Sequence, residues 1–200
     1  MPAKLILIRH GETDWNRDGR YQGWCDTPLN AKGRGQARLV ALRLKHEKID
    51  KVYSSDRRRA LESAGIIFGK TPINGLPELR EMGFGVFEGL TYDEARTKYP
   101  SVYENWLKDP FNTTIPGGEE PAVFRNRVTG MFENIIGMDG PDVFALVVHG
   151  GPISIILSSI CESKSSWDMI PKTASISIVE IKGGKRIIAV LNDTSHLENG

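Results

Sequence analysis

The sequence predicts an α/β fold: a three-layer α/β/α sandwich with a mostly parallel central sheet and a C-terminal antiparallel hairpin. Three features support this. Leu5-Ile6-Leu7-Ile8 and Val143-Phe144-Ala145-Leu146-Val147-Val148 are continuous apolar runs, the pattern of strands buried on both faces. Stretches of helical period separate the strand-like runs, as in layered α/β domains. A final pair of strand-like stretches is joined by Gly183-Gly184, a hairpin signal.

In chain order, the first strand ends abruptly in Arg9-His10-Gly11-Glu12, a polar set that suits the carboxyl end of a parallel strand, where open α/β folds keep their ligands. Gly11 to Leu29 reads as a long functional loop carrying Trp15, Tyr21 and Trp24. Asn30 caps a helix with Ala37, Val40, Ala41 and Leu44 on one face. Lys51-Val52-Tyr53 is a second strand, followed by Ser54-Ser55-Asp56. Asp56 is the expected N-cap of a helix bearing Ala60, Ala64 and Ile67, which places Arg57, Arg58 and Arg59 in its first turn. Cations are disfavoured there, so a nearby anion would account for them. Leu76 to Gly89 is irregular and holds Glu78, Glu81 and Glu88. Helices follow over 92–99 and 102–107, then a Pro/Gly loop through Pro116-Gly117-Gly118-Glu119. Pro121 opens a helix striped by Phe124, Val128, Met131 and Ile135. The strand beginning at Val143 delivers His149-Gly150-Gly151-Pro152 into another helix, and Ser175–Ile178 and Arg186–Leu191 form the closing hairpin.

At 200 residues, 40% of them hydrophobic, the chain can bury a core, and no linker or repeat divides it, so one domain over residues 1–200 is expected. A net charge of +1 argues against nucleic acid or an acidic membrane as partner. Cys25 and Cys161 have neither metal-finger nor disulfide-framework spacing, no signal-peptide pattern precedes the first strand, and no apolar run reaches transmembrane length; a cytoplasmic location is expected. Asn112-Thr113-Thr114 matches a glycosylation sequon but has no meaning without a secretory signal.

The chemistry-bearing residues sit at strand ends. Arg9, His10, Arg59 and His149 can converge on one rim, where two imidazoles, two guanidiniums and helix-terminal amides such as that of Gly150 make a pocket for a phosphoryl group. A metal site is the alternative for two histidines, but the arginines oppose a cation and no HExxH spacing or Cys partner supports one. Gly69-Lys70-Thr71 is not a P-loop, because Ala64 stands where its first glycine is required.

Arg9-His10-Gly11-Glu12-Thr13 with Trp15-Asn16 resembles the opening motif of the histidine phosphatase superfamily, which includes cofactor-dependent phosphoglycerate mutases and many phosphomonoesterases. Tyr21-Gln22-Gly23 with Asp26, Pro28-Leu29 and Gly33 resembles its substrate loop, and Ser54-Ser55-Asp56 with Arg59-Ala60 its second-arginine motif. Glu81 with Gly83 and Glu88-Gly89 resembles the proton-donor segment, and Val148-His149-Gly150-Gly151 the second-histidine motif. The correspondence runs from Lys4 to Leu197 in the family's order.

The resemblance implies that His10 attacks phosphorus to form a phosphohistidine, that Arg9, Arg59 and His149 hold the phosphoryl oxygens, and that Glu81 is the general acid. It implies phosphate contacts from Asn16, Gln22, Gly23 and Gly150, a weaker one from Glu119 with Glu120 standing where many relatives have Ser, and neither metal nor cofactor. Glu78 and Glu88 rival Glu81 on composition; only the family spacing separates them. The segment from Leu79 to Gly89 lacks the Glu-Arg-His-Tyr-Gly string of the mutase branch, and the chain is short between Arg59 and Gly118. The expected activity is therefore hydrolysis of a small phosphorylated metabolite, with α-ribazole 5′-phosphate or a broad range of monoesters as substrates and a homo-oligomer compatible with the sequence. A phosphoglycerate mutase and a non-catalytic phospho-ligand binder are the alternatives. Trp15, Tyr21, Trp24, Phe84 and Trp106 are candidates for an apolar rim around the leaving group, or for core.

Overall fold

The computed structural model describes residues 3–110, 112–138, 142–161 and 169–198. Within them, strands β1 (Lys4–Arg9), β2 (Lys51–Ser55), β3 (Ile73–Leu76), β4 (Val143–Val148), β5 (Ile176–Lys182) and β6 (Lys185–Asp193) form one sheet in the order β3-β2-β4-β1-β5-β6. The first four are mutually parallel; β5 runs antiparallel to β1 and β6 to β5. This is the mostly parallel sheet with a terminal hairpin that the apolar runs predict.

Alternation along β1 splits the core in two. Leu5 and Leu7 face a cluster with Phe124, Phe132, Phe144 and Ile156, beneath helices α6 (Pro121–Ile136) and α7 (Gly150–Ile160). Ile6 and Ile8 face Val40, Val52, Ala60 and Ala64, beneath α2 (Ala31–Arg43) and α3 (Arg58–Phe68). All four β1 side chains are fully buried, each contributing about 1.5–3 kcal/mol from removal of apolar surface. A third cluster of Tyr21, Phe87, Tyr103, Trp106 and Ile115 lies off the sheet, joining the loop after α1 (Asp14–Arg17) to α4 (Tyr92–Lys98) and α5 (Pro100–Lys108).

The register sets the rim. Arg9 is level with Val148, and Val147 with Ser54, so β1, β2 and β4 end together and release His10, Asp56 and His149 at one edge. Asn30 caps α2 as expected, accepting from the Gly33 amide at 2.8 Å. Asp56 does not cap α3. Its carboxylate instead takes the Arg80 guanidinium, Arg57 occupies the N-cap, and the free Arg58 amide is satisfied from across the chain by Asp26 Oδ1 at 2.7 Å. A long-range arginine outcompeted the local cap. The stripe of α6 also differs: Phe132 is fully buried, whereas Met131 is only partly so.

Candidate active site

His10 leaves β1 almost fully buried, its amide held by the Val148 carbonyl at 2.9 Å. Its Nδ1 lies 2.7 Å from the Gly11 carbonyl. A carbonyl only accepts, so Nδ1 carries the proton and Nε2 keeps its lone pair. The tight turn after His10 depends on Gly11 and Gly33. A Cβ on Gly33 would lie 2.7 Å from the Glu12 nitrogen, and one on Gly11 would lie 2.9 Å from the Gly33 carbonyl carbon. Ser63 of α3 accepts from the Gly11 amide at 3.0 Å and donates to the Arg59 carbonyl at 2.8 Å, tying the histidine turn to the arginine helix.

His149, the N-cap of α7, packs edge-on against His10 with ring centroids 5.0 Å apart. Its Nε2 is 2.8 Å from Ser55 Oγ, and its buried Nδ1 has no protein partner. With the serine hydroxyl donating, the proton resides on Nδ1. Burial first, then the charge of Arg59, holds both imidazoles well below the ordinary histidine range, with further contributions from Arg9 on each and from His10 on His149. Both are neutral at physiological pH. Arg59 donates to the carbonyls of Gly23 and Cys25, each at 2.8 Å, and burial lowers its pKa to about 10. Arg9 donates to the Pro171 carbonyl. The Nε atoms of both arginines are buried and have no protein acceptor, as a site awaiting an anion requires.

These groups border a cavity of about 390 Å³. Arg9, His10, Asn16, Gln22, Gly23, Arg59, Glu81 and Gly150 all line it. His149 stands behind His10 with no exposed surface rather than on the wall. Glu81 reaches α7, its Oε2 accepting from the Gly151 amide at 3.1 Å; a Cβ on Gly151 would collide with this carboxylate. The rivals are elsewhere: Glu88 accepts from the amides of Trp24 and Phe84 at 2.9 and 3.0 Å, and Glu78 is exposed. Glu119 does not line the cavity. It is buried against Arg127, with contacts of 2.6 and 2.8 Å, because that guanidinium offers it a bidentate partner. Of the aromatic residues proposed for the rim, Tyr21, Phe84 and Trp106 line the cavity, while Trp15 packs against Gly89 and Trp24 is turned outward, donating to the Glu81 carbonyl at 3.1 Å. Ser55 and Gly151 lie inside the second-arginine and second-histidine motifs without a role legible from the sequence, and Ser63 and Arg127 carry no motif signal at all. Among the described residues no group of acidic, histidine or cysteine side chains could hold a metal ion.

Paired neutral imidazoles between two buried arginines, at the carboxyl ends of parallel strands, define a pocket for phosphoryl transfer. The profile of the histidine phosphatase superfamily (branch 1) matches residues 5–194, and the chain belongs to that superfamily. It is 32% identical to phosphoserine phosphatase 1 of Hydrogenobacter thermophilus over 98% of this chain and 94% of that one. It is 33% identical to the metal-independent phosphoserine phosphatase of Arabidopsis thaliana, covering 98% of this chain and 84% of the other. Among solved structures, the α-ribazole phosphatase of Shigella flexneri superposes with a TM-score of 0.88 at 28% identity, covering 95% of this chain and 96% of its own.

Proposed function

We propose that this chain is a single-domain phosphomonoester hydrolase that acts through a phosphohistidine on His10, without a metal. The observation that carries the reading is the fixed tautomer of His10. A nitrogen lone pair stands in a cavity whose arginines have unfilled, buried donors. Nε2 attacks phosphorus and the ester P–O bond breaks. Arg9 and Arg59 take the charge that spreads over the phosphoryl oxygens, with Asn16, Gln22 and the amides of Gly23 and Gly150 completing the cradle; His149, packed edge-on against His10, holds that ring in place from outside the cavity. Glu81, as general acid, gives a proton to the departing alcohol. The resulting carboxylate then takes a proton from water as water attacks phosphorus, the P–N bond breaks, and His10 is restored with inorganic phosphate released.

Mutase chemistry is less favoured because the segment from Leu79 to Gly89 lacks the Glu-Arg-His-Tyr-Gly string of that branch, and the phosphoserine phosphatases named above match the chain over nearly its whole length. The substrate class is a small phosphorylated metabolite, as the phosphoserine and α-ribazole names of the relatives also indicate. No helix among the described residues is long and apolar enough to cross a membrane, and the free thiols of Cys25 and Cys161 fit a reducing cytoplasm.

The test uses leaving groups. An alkoxide needs a proton in the transition state, whereas p-nitrophenolate does not. Glu81→Gln should slow enzyme phosphorylation by an alkyl monoester about 10²- to 10⁴-fold and by p-nitrophenyl phosphate far less. Rapid quench measures that step apart from hydrolysis of the intermediate. Equal losses would remove Glu81 from this role.

A further inference from the structure

The cavity has two kinds of wall. Around His10 it is polar. The remainder is mostly ring and aliphatic surface, to which Tyr21, Phe84, Tyr103, Trp106, Leu107 and Phe124 contribute. The rings hold one another in place: Tyr21 meets Phe84 with centroids 5.2 Å apart and Trp106 edge-on at 5.4 Å. Burial, reinforced by Tyr103, pushes the Tyr21 phenol's pKa upward, so it stays neutral. Beyond Arg9, Arg59 and Glu81, one charged side chain among the described residues lines the cavity, Arg20. It is already committed, donating to the Gly89 carbonyl at 2.7 Å and to Glu94 at 2.9 Å. Against this described lining, a leaving alcohol carrying its own carboxylate and ammonium would lose water without meeting an uncommitted counter-charge beyond the reacting centre, at a cost that an apolar group does not incur. An aromatic group would stack on the rings and gain by leaving water.

Resting on the phosphatase reading of this site, we propose that the enzyme selects monoesters whose leaving alcohol bears an uncharged aromatic group and discriminates against zwitterionic alcohols, phosphoserine included. Ethyl phosphate, O-phosphoserine and 2-phenylethyl phosphate all expel primary alkoxides, so their kcat/KM values compare the pockets they need. The phenylethyl ester should exceed the other two by about tenfold or more, the scale on which apolar pockets discriminate. Leu107→Arg, at an exposed position where a longer side chain fits, adds an uncommitted cation and should narrow the ratio over phosphoserine several-fold. Phosphoserine at equal or higher kcat/KM than the phenylethyl ester overturns the proposal, as does an unchanged ratio in the variant. If no ester is hydrolysed, p-nitrophenyl phosphate included, the phosphatase reading falls as well.

Arg127 carries a second inference from different contacts. Its guanidinium donates to the carbonyls of Glu78 and Arg80 at 2.8 Å each and of Glu81 at 2.9 Å, while Glu119 balances its charge. Three carbonyls within residues 78–81, the short 3-10 turn over Pro77–Leu79 and the chain that leads from it to Glu81, thus hang on one side chain outside the cavity wall. We infer that the Arg127–Glu119 pair is a positioning device for Glu81. Replacing both partners together, Arg127→Met with Glu119→Gln, avoids leaving a buried charge alone. That double variant should lose about tenfold in kcat/KM on an alkyl monoester and under about twofold on p-nitrophenyl phosphate, and should add nothing to Glu81→Gln. Arg127→Lys, able to serve only part of the fork, should fall between. Equal losses on both esters, or a loss that multiplies with that of Glu81→Gln, would contradict the inference.

Discussion

The nucleophile is set by the carbonyl of the next residue, and by the charges of the residue before it and of α3. The Gly11 carbonyl fixes the tautomer of His10, and burial with Arg59 and Arg9 keeps the ring neutral. The same depression has a cost in stability. The unfolded chain protonates His10 and His149 at about pH 6.5, above their folded values, so below that pH the unfolded state binds more protons and stability falls as pH falls. Unfolding free energy measured by denaturant titration should therefore decline from about pH 7 to about pH 5, by up to about 1.4 kcal/mol per pH unit for each ring, and the slope should be shallower in His149→Asn. A flat profile would contradict the buried neutral pair. Gly33 offers a second residue-scale test. Its missing Cβ lets α2 touch the turn after His10, so Gly33→Ala should cost about 1–3 kcal/mol by overpacking and lower turnover as well; an unchanged thermal midpoint would show that the turn yields freely.

Elements with a strong local signature were legible in the sequence. β1 and β4 show as apolar runs, and α2 by its Asn30 cap. The hairpin shows by Gly183-Gly184. β3 was not, because Ile73-Asn74-Gly75-Leu76 holds two poor strand formers and exists as an edge strand by pairing with β2. The four-residue α1 was hidden inside the long loop for a similar reason, since it depends on the reciprocal cap between Thr13 and Asn16 rather than on any apolar period. Glu119 misled because a motif places a residue near a site without saying which way its side chain turns, and Arg127 decided that. The cap over the cavity makes its own prediction. Phe87, fully buried against Tyr21, Tyr99, Tyr103 and Trp106, joins the loop to α4 and α5. Phe87→Ala should cost about 3–5 kcal/mol, with amide protection lost first in α4 and α5 by hydrogen exchange. Uniform loss across the sheet would show the cap to be no separate unit.

At the scale of the molecule, the parallel order of β1, β4 and β2 brings together residues nearly 140 positions apart, His10 and His149, at the one edge where strands turn into helices. Hydrophobic layers cover both faces of the sheet beneath that edge, and the aromatic cap supplies the rest of the cavity. The architecture thus presents a neutral imidazole to phosphorus inside a cationic frame, and the proposed chemistry requires that imidazole to form a covalent bond. Rapid quench of the enzyme with a radiolabelled phosphomonoester measures it directly. The expected result is enzyme-bound label that is stable to base and labile to acid, mapped to the peptide containing His10, with neither label nor turnover in folded His10→Ala. Normal turnover in that variant, or label on another residue, would contradict it.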